Sequence, residues 1–403
     1  MTADELLARI DVKSCLDFVS RMAQHKSYSQ TEGERKLAVF MEEELRKLGL
    51  ETELMPVEGE RVNAIGRWRG AGGGKSLLFN GHLDTNPVSE GWTVDPWGGK
   101  VDDKFIYGIG VSNMKSGDAA YFCAVKTLID AGVKLRGDVL LTYVVGELQG
   151  GVGTVAMVKQ GYRADYFVNS EPTDLQALTM HAAAFVFFIE LVGDTRHLSK
   201  REEAVDAIVA ACDLVPRLNA LKFSGAKSPE HEKINRVHVG VMHGALGKEL
   251  HEWRPPQVAD YVKIKGSGRY APGQTEEGAL ADLRAELDAL EHRHPGLKAT
   301  VTIETATGRV TMPSFEVAPD NPIVEAINSA YQQVRGKKQP TGAITPPGFY
   351  GTDAAHLYRM GGMPGVVCGP GGRYNTMPDE RVDIDDYLDM VRIYILTILR
   401  ICG

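Results

Sequence analysis

The sequence predicts an α/β protein with a large domain built on a mostly parallel β-sheet and a smaller α+β domain inserted into it. Three observations support this prediction. The chain has 403 residues, which suits two domains. Strand-like and helix-like segments alternate over the first 170 residues, and the strands are apolar almost throughout. A different order of elements, βαββαβ, then interrupts that pattern.

In the first 181 residues, the spacing of apolar positions predicts two helices, over residues 32–49 and 114–132. Alternating or continuously apolar runs predict strands at residues 51–57, 62–68, 76–84, 105–110 and 138–146. Strands with both faces apolar are typical of a parallel sheet that is covered by helices. Ligands bind such sheets at the carboxyl ends of the strands, so we expect the functional site there.

The inserted domain is predicted to comprise residues 182–309, which leaves residues 1–181 and 310–403 for the large domain. Its predicted elements are strand 183–193, helix 202–221, strands 236–244 and 258–268, helix 275–294 and strand 298–306. This order is that of a ferredoxin-like domain. After the inserted domain the α/β pattern returns, with predicted helices at 322–334, 352–360 and 383–401 and a short strand at 364–369.

Charge and cysteine content exclude several classes of partner. The net charge is −8, and acidic and basic residues are interleaved without runs of one sign, so we expect neither nucleic acid nor an anionic membrane as a partner. The five cysteines are scattered singly and no apolar stretch is long enough for a membrane span. We expect a cytoplasmic protein that acts on a small molecule.

Residues that could carry chemistry follow the predicted strands. His82 and Asp84 are two positions apart after one strand, so both point to one side of the sheet, where the aspartate could fix the tautomer of a metal-binding imidazole. The alternative is a histidine that is simply hydrogen-bonded at a strand end. Asn113 stands at the entry of a helix, where an N-cap is the alternative role. Glu147 and Glu171 each end an apolar strand, where a carboxylate is hard to explain as solvated surface.

Six blocks of sequence, in this order, resemble the signature blocks of the zinc-dependent family of acetylornithine deacetylase, succinyl-diaminopimelate desuccinylase, aminoacylase and glutamate carboxypeptidase. They are GHLDTNP, GIGVSNMKSG, GELQGGVGT, SEPT, GTDAAHLYRMGGMPGVVCGPG and MPDERVDIDDY. The resemblance implies a hydrolase of C–N bonds. It also implies that the inserted domain is the family's lid or dimerisation domain and that the protein is a homodimer or a higher homo-oligomer.

The departures from the family pattern concern its second zinc ion. The resemblance assigns His82 and Glu171 to the first ion and Glu147 to the general base. The bridging aspartate is replaced by Asn113, and the glutamate that binds the second ion is replaced by Leu148. Asn375 and Thr376 occupy the region of the C-terminal histidine ligand. We therefore expect one labile divalent ion, Mn, Zn or Fe, held by His82, Asn113 and Glu171.

The resemblance also implies residues for the substrate. His197 corresponds to a histidine that stabilises the oxyanion in the partner subunit's site, although a plain loop histidine is the alternative. Arg269 corresponds to an arginine that binds a substrate carboxylate. His181, at the hinge into the inserted domain, and Thr352, near the pocket wall, are further candidates for substrate binding.

Three functions remain open at this stage. The first is hydrolysis of an amide-type C–N bond in a small carboxylate-bearing substrate, with Glu147 taking a proton from water. The second is a hydrolytic deaminase of an aryl amine, because the resemblance extends to an aminohydrolase of a nitroanthranilate. The third is a metal-free pseudoenzyme or binding protein, against which stands the buried-looking carboxylate of Glu147.

Overall fold

A computed structural model describes residues 2–304 and 312–403, and this part of the chain divides into two compact units. The first unit comprises Met1–Met180, Phe315–Pro347 and Thr352–Gly403, and the second comprises His181–Ser314 and Gly348–Gly351. The segment Gly348–Gly351, which the sequence analysis places in the large domain, thus groups with the second unit. The predicted boundary at residues 309–310 and the end of the predicted strand at 305–306 lie outside the described residues.

Helices and strands alternate along much of the chain. The α-helices of the described residues are α1 Ala3–Leu7, α2 Val12–Ala23, α3 Glu32–Lys47, α4 Ser116–Asp130, α5 Val152–Lys159, α6 Ala207–Ala220, α7 Pro229–Lys233, α8 Glu276–Arg293, α9 Pro322–Arg335, α10 Ala354–Arg359 and α11 Ile384–Cys402. The strands are β1 Glu51–Pro56, β2 Val62–Trp68, β3 Leu77–His82, β4 Phe105–Tyr107, β5 Val139–Val144, β6 Tyr166–Pro172, β7 Ala177–Leu178, β8 Met180–His181, β9 Ala183–Val192, β10 Arg236–Ala245, β11 Tyr261–Tyr270, β12 Lys298–Ile303, β13 Phe315–Glu316, β14 Thr341–Gly342, β15 Gly365–Gly369 and β16 Arg381–Asp383.

The first unit contains an eight-stranded sheet in the order β1-β2-β5-β3-β6-β15-β7-β14. Its centre is parallel: β3 pairs in parallel with β5 and β6, and β15 pairs in parallel with β6. All residues of β3 and β5 are buried, as the continuous apolar runs predict. One predicted strand behaves differently, because β4 is only three residues long and pairs with β16 outside this sheet.

Helices α4 and α11 pack on β3 through aromatic side chains. The ring of Phe79 lies 5.3 Å from that of Tyr121 in α4 and 5.0 Å from that of Tyr394 in α11. All three side chains are fully buried in the core of the first unit. This packing fixes the central strand, and with it the residues at the strand's carboxyl end.

The second unit has a four-stranded antiparallel sheet in the order β10-β11-β9-β12. Along β9, buried residues alternate with half-buried ones, so one face of the sheet is covered. Its core is separate from that of the first unit and includes residues of α6 and α8, such as Leu214 and Leu283. Among the described residues, no helix combines the length and the apolar character needed to cross a bilayer.

Candidate active site

Three neighbouring strands of the first unit bring titratable side chains to one edge of the sheet. His82 is the last residue of β3, Glu171 lies at the end of β6, and Glu147 follows β5 in a short turn. Each offers a ligand atom within 4.8 Å of the others, and all three side chains are buried. His82 Nε2 lies 3.6 Å from Glu171 Oε1. The structure thus brings together three of the residues singled out from the sequence.

Asn113 joins this cluster from the turn before α4. Its Oδ1 lies 3.3 Å from His82 Nε2. The alternative role as an N-cap is wrong, because α4 begins at Ser116, its N-cap is Lys115, and no side chain caps it. The backbone of Asn113 is not helical, with φ −123° and ψ 88°, and this conformation lets the side chain turn toward the histidine.

The hydrogen bond at the other nitrogen of His82 defines the tautomer of the imidazole. Nδ1 lies 2.9 Å from the backbone oxygen of Asp84 and 3.5 Å from its carboxylate Oδ1. Because a carbonyl oxygen can only accept, Nδ1 carries the proton in the neutral ring and Nε2 presents its lone pair to the cluster. The backbone of Asp84 thus performs much of the orienting role that the sequence analysis gave to its side chain.

The Asp84 carboxylate instead holds the turn that carries Glu147. Its Oδ1 accepts hydrogen bonds from the backbone N–H groups of Gly146 and Glu147, at 2.9 and 3.1 Å. Its Oδ2 accepts from the backbone N–H of Leu148 at 3.2 Å and from the hydroxyl of Ser29 at 2.9 Å. Four donors on one buried carboxylate fix the position of the following glutamate, so Asp84 acts as a positioning residue.

The same turn is supported on its other side by α10 and the residue before it. His356 Nε2 donates a hydrogen bond to the backbone oxygen of Gly150, at 2.9 Å. Gly151 has φ +79°, and a Cβ there would lie 2.3 Å from Asp353 Oδ1. Only glycine fits this close approach without strain. Gly151 therefore lets the Glu147 turn pack directly on Asp353.

Burial and mutual repulsion shift the titration of the clustered carboxylates. Burial, followed by the negative charge of Glu171, raises the pKa of Glu147 well above its usual range. Burial raises the pKa of Glu171 to about 7, with His82 opposing the shift and Asp353 reinforcing it. Burial acts to lower the pKa of His82, but the charges of Glu171 and Asp84 hold it well above its usual range. Such a cluster strongly favours a neutralising cation.

Glu380 is a site residue that the sequence analysis did not single out. Its side chain is buried, and Oε1 accepts hydrogen bonds from the backbone N–H groups of Ser112 and Asn113, at 2.8 and 3.1 Å. Burial raises the pKa of Glu380 to about 7. The position of Glu380 in the block MPDERVDIDDY could have pointed to it. Only the fold shows that Glu380 holds the turn that carries Asn113.

A cavity of about 320 Å³ opens beside the cluster, and all of its lining residues belong to the first unit. His82, Asn113 and Glu380 line one part of it. Leu148 and Thr376 line it as well. The remaining lining residues are Asp84, Thr85, Asn86, Pro87, Ser89, Trp92, Ile109, Gly110 and Met377.

The predicted substrate residues lie in different units. Thr352 is buried in the first unit, where its Oγ1 accepts from the backbone N–H of Ala354 at 3.2 Å. His181, His197 and Arg269 belong to the second unit. His181 is buried and His197 exposed, and Arg269 donates from Nε to the backbone oxygen of Phe349 at 3.0 Å. Their roles toward a substrate stay predictions.

The donor set fits a divalent transition-metal ion. Imidazole nitrogen, carboxylate and amide oxygen are ligands that such ions accept, with bonds of about 2 Å. Two ligand atoms on one ion are therefore about 3–4 Å apart. The distances from His82 Nε2 to Asn113 Oδ1 and to Glu171 Oε1, 3.3 and 3.6 Å, agree with this geometry.

Known proteins with similar structures share this fold. The aminopeptidase PepT from Bacillus cereus ATCC 10987 superposes with a TM-score of 0.75 over 98% of this chain and 99% of its own, at 19% sequence identity. A family M20 metallo-carboxypeptidase from Sulfolobus solfataricus gives a TM-score of 0.70 over 96% and 98% of the two chains, also at 19% identity. These likenesses establish the fold.

Similar sequences extend over most of the chain. An N-formyl-4-amino-5-aminomethyl-2-methylpyrimidine deformylase from Bacillus subtilis is 25% identical over 388 residues, 89% of this chain and 87% of its own. An acetylornithine deacetylase from Salmonella typhimurium is 26% identical over 346 residues, 83% of each chain. The model of peptidase family M20/M25/M40 matches residues 78–400. The chain therefore belongs to peptidase family M20/M25/M40 and is a hydrolase that acts on carbon–nitrogen bonds.

Proposed function

We propose that the protein is a hydrolase with one divalent metal ion that cleaves an amide-type C–N bond in a small carboxylate-bearing substrate. The observation that carries this proposal is the grouping of His82, Glu147 and Glu171, whose ligand atoms lie within 4.8 Å of one another, with Asn113 Oδ1 3.3 Å from His82 Nε2. Leu148 provides no ligand at the position where the family has one. We propose manganese, zinc or iron as the ion and expect it to dissociate readily, because Asn113 is neutral.

A divalent ion held by His82, Asn113 and Glu171 would polarise the scissile carbonyl and lower the pKa of an attacking water. Glu147 accepts the proton of that water and passes it to the leaving nitrogen. The four hydrogen bonds on Asp84 keep Glu147 in place during this transfer. The raised pKa of Glu147 suits a group that must both take up and release a proton.

A second candidate is hydrolytic deamination of an aryl amine. The observation that favours it is the apolar character of the cavity near the donors, where Trp92, Leu148 and Met377 could pack against a ring. An ortho amine and carboxylate on that ring could complete the shell of an ion with few protein ligands. The names of the similar proteins, a deformylase and a deacetylase, favour the amide substrate instead.

We also propose that the second unit is a ferredoxin-like lid and dimerisation domain and that the protein is a homodimer. The sheet order β10-β11-β9-β12 with α6 and α8 supports the first part. The second part is supported by β10, an edge strand of that sheet on which Val241 and Met242 are 43% and 46% exposed. Sedimentation velocity should find a dimer for the wild type and monomers for V241E/M242E. In the dimer, His197 and Arg269 would act on the substrate.

A substrate screen tests the proposed reaction. Chelator-stripped protein is reloaded with manganese or zinc and incubated with N-formyl and N-acetyl amino acids and, separately, with aromatic amines. Release of free amino acid supports the deacylase, and release of ammonia supports the deaminase. The variant Glu147→Gln, assayed in parallel, should be inactive. Activity that survives both metal removal and this substitution would refute the proposed chemistry.

A further inference from the structure

We infer that the cavity beside the donor cluster is a subsite for an uncharged, apolar, preferably planar group of the substrate. This inference rests on the proposed function, because the cavity adjoins the donors of the proposed ion. The inference goes beyond the proposed function because it names the class of substituent that the enzyme selects.

Two of the residues that line this cavity have exposed apolar side chains. Leu148 is 38% exposed and Met377 is 40% exposed, and both line the same partly open cavity. Trp92 and Ile109 add further apolar surface. Apolar groups that stay in contact with water in a concave site gain free energy when a ligand covers them.

The charged groups of the cavity are turned toward the protein itself. The Asp84 carboxylate accepts four hydrogen bonds from the protein, and Glu380 Oε1 accepts two from backbone N–H groups. No lysine or arginine is among the described residues that line the cavity. An anionic substituent in the cavity would meet two carboxylates and neither a lysine nor an arginine, so the cavity selects against it.

The position of Leu148 explains why the substituent must lie close to the reacting bond. Leu148 follows Glu147 directly, and its backbone N–H is held by the same Asp84 carboxylate at 3.2 Å. A substrate group that packs on Leu148 therefore contacts the residue next to the proposed base, Glu147. The cavity volume of about 320 Å³ is at the lower end of the range for small-molecule sites, about 300–1,000 Å³, and accommodates a six-membered ring.

Calorimetry with hydroxamates tests the inference, because a hydroxamate binds the ion while its substituent reports on the cavity. Manganese is first titrated into chelator-stripped protein, and four probes are then titrated into the loaded sample. They are acetohydroxamate, benzohydroxamate and the hydroxamates of succinate and β-alanine, which end in a carboxylate and an ammonium group. Benzohydroxamate should bind at least about tenfold more tightly than acetohydroxamate, and neither charged probe should bind more tightly than acetohydroxamate.

The variants L148N and M377Q should each reduce this preference to below about threefold while acetohydroxamate binds as before. The matched control is M360Q, because Met360 is 42% exposed in the first unit and does not line the cavity. It should leave the preference unchanged. Three results would overturn this inference but leave the proposed function standing. They are equal binding of the two uncharged probes, a preference for a charged probe, and failure of all four probes to bind the loaded protein. Absence of manganese binding would refute the proposed function.

Discussion

Two groups of residues at the candidate site differ in burial and in the ligands that they offer. On the donor side, at the ends of β3 and β6, His82 and Glu171 are 1% and 6% exposed, and His82 Nε2 lies 3.6 Å from Glu171 Oε1. On the apolar side, in the lining of the cavity, Leu148 and Met377 are 38% and 40% exposed and carry no nitrogen or oxygen ligand. This contrast supports the proposal that one metal site keeps its ligands while the other has lost them.

The hydrogen bonds around the donor side also support a site that has kept a function. Asp84 and Glu380 bind no substrate in the proposed mechanism, yet each is buried and accepts backbone N–H groups of a turn that carries a site residue. A chain that had lost its function would gain nothing from such costly buried carboxylates. The difference between the donor side and the apolar side supports a site whose chemistry has changed rather than been lost, and four substitutions test this interpretation.

The largest effect is expected for Glu147→Gln. This change keeps the shape of the side chain but removes the proton acceptor, so kcat should fall by about 10²–10⁴-fold. The exposed Glu43 of α3 supplies the control, E43Q, which should behave as the wild type. Steady-state kinetics on the substrate found by the screen measure both. A loss below threefold in E147Q would assign the base to another group.

A smaller loss is expected for Asp84→Asn. An amide cannot replace the second carboxylate oxygen, so the backbone N–H of Leu148 and the Ser29 hydroxyl lose their acceptor. We expect kcat to fall by about 10–100-fold while the protein stays folded. Ser29→Ala removes only one donor and should cost less than about threefold. Wild-type rates in D84N would show that the turn does not need this anchor.

Asn113→Asp tests the missing bridge. The added negative charge should raise affinity for manganese by about tenfold, because the ion gains a charged ligand. The stoichiometry should stay at one ion per chain, since Leu148 still offers no ligand. Isothermal titration of N113D and of the double variant N113D/L148E separates the two effects. A second ion bound by N113D alone would contradict the assignment of Leu148 to the lost site.

The smallest effect concerns stability. Gly151 and Gly132 have φ of +79° and +70°, where alanine costs about 1–2 kcal/mol. Around Gly132 a Cβ meets nothing within 4 Å, whereas at Gly151 it overlaps Asp353. Gly151→Ala should therefore lower the free energy of unfolding by more than Gly132→Ala, as urea titrations would measure. Equal losses would mean that the Glu147 turn is not tightly packed on Asp353.

Much of the first unit could be predicted from the sequence because its signals are local. The runs at residues 77–82 and 139–144 are apolar on both faces, and such runs form central parallel strands. The convergence of His82, Glu147 and Glu171 followed from the rule that sites lie at the carboxyl ends of strands. The short strand β4 could not be placed, because its partner β16 lies more than 270 residues away in the sequence.

The hydrogen bonds that position the site residues could not be predicted from the sequence either. Differences of a few tenths of an ångström decide whether the Asp84 side chain binds the His82 imidazole or the turn that carries Glu147. In the structure the backbone oxygen of Asp84 binds the imidazole and its carboxylate binds the turn. Glu380 reaches Asn113 from the far end of the chain, so no local pattern connects them. Such long-range hydrogen bonds depend on the packing of several elements at once.

The proposed mechanism requires one metal ion per chain, and calorimetric titration of manganese and of zinc into chelator-stripped protein measures that number. We expect one site per chain, which His82→Ala and Glu171→Ala each abolish. As a control, His243→Ala in β10 of the second unit should leave the site intact. Two sites per chain in the wild type, or none, would show that the proposed metal centre is wrong.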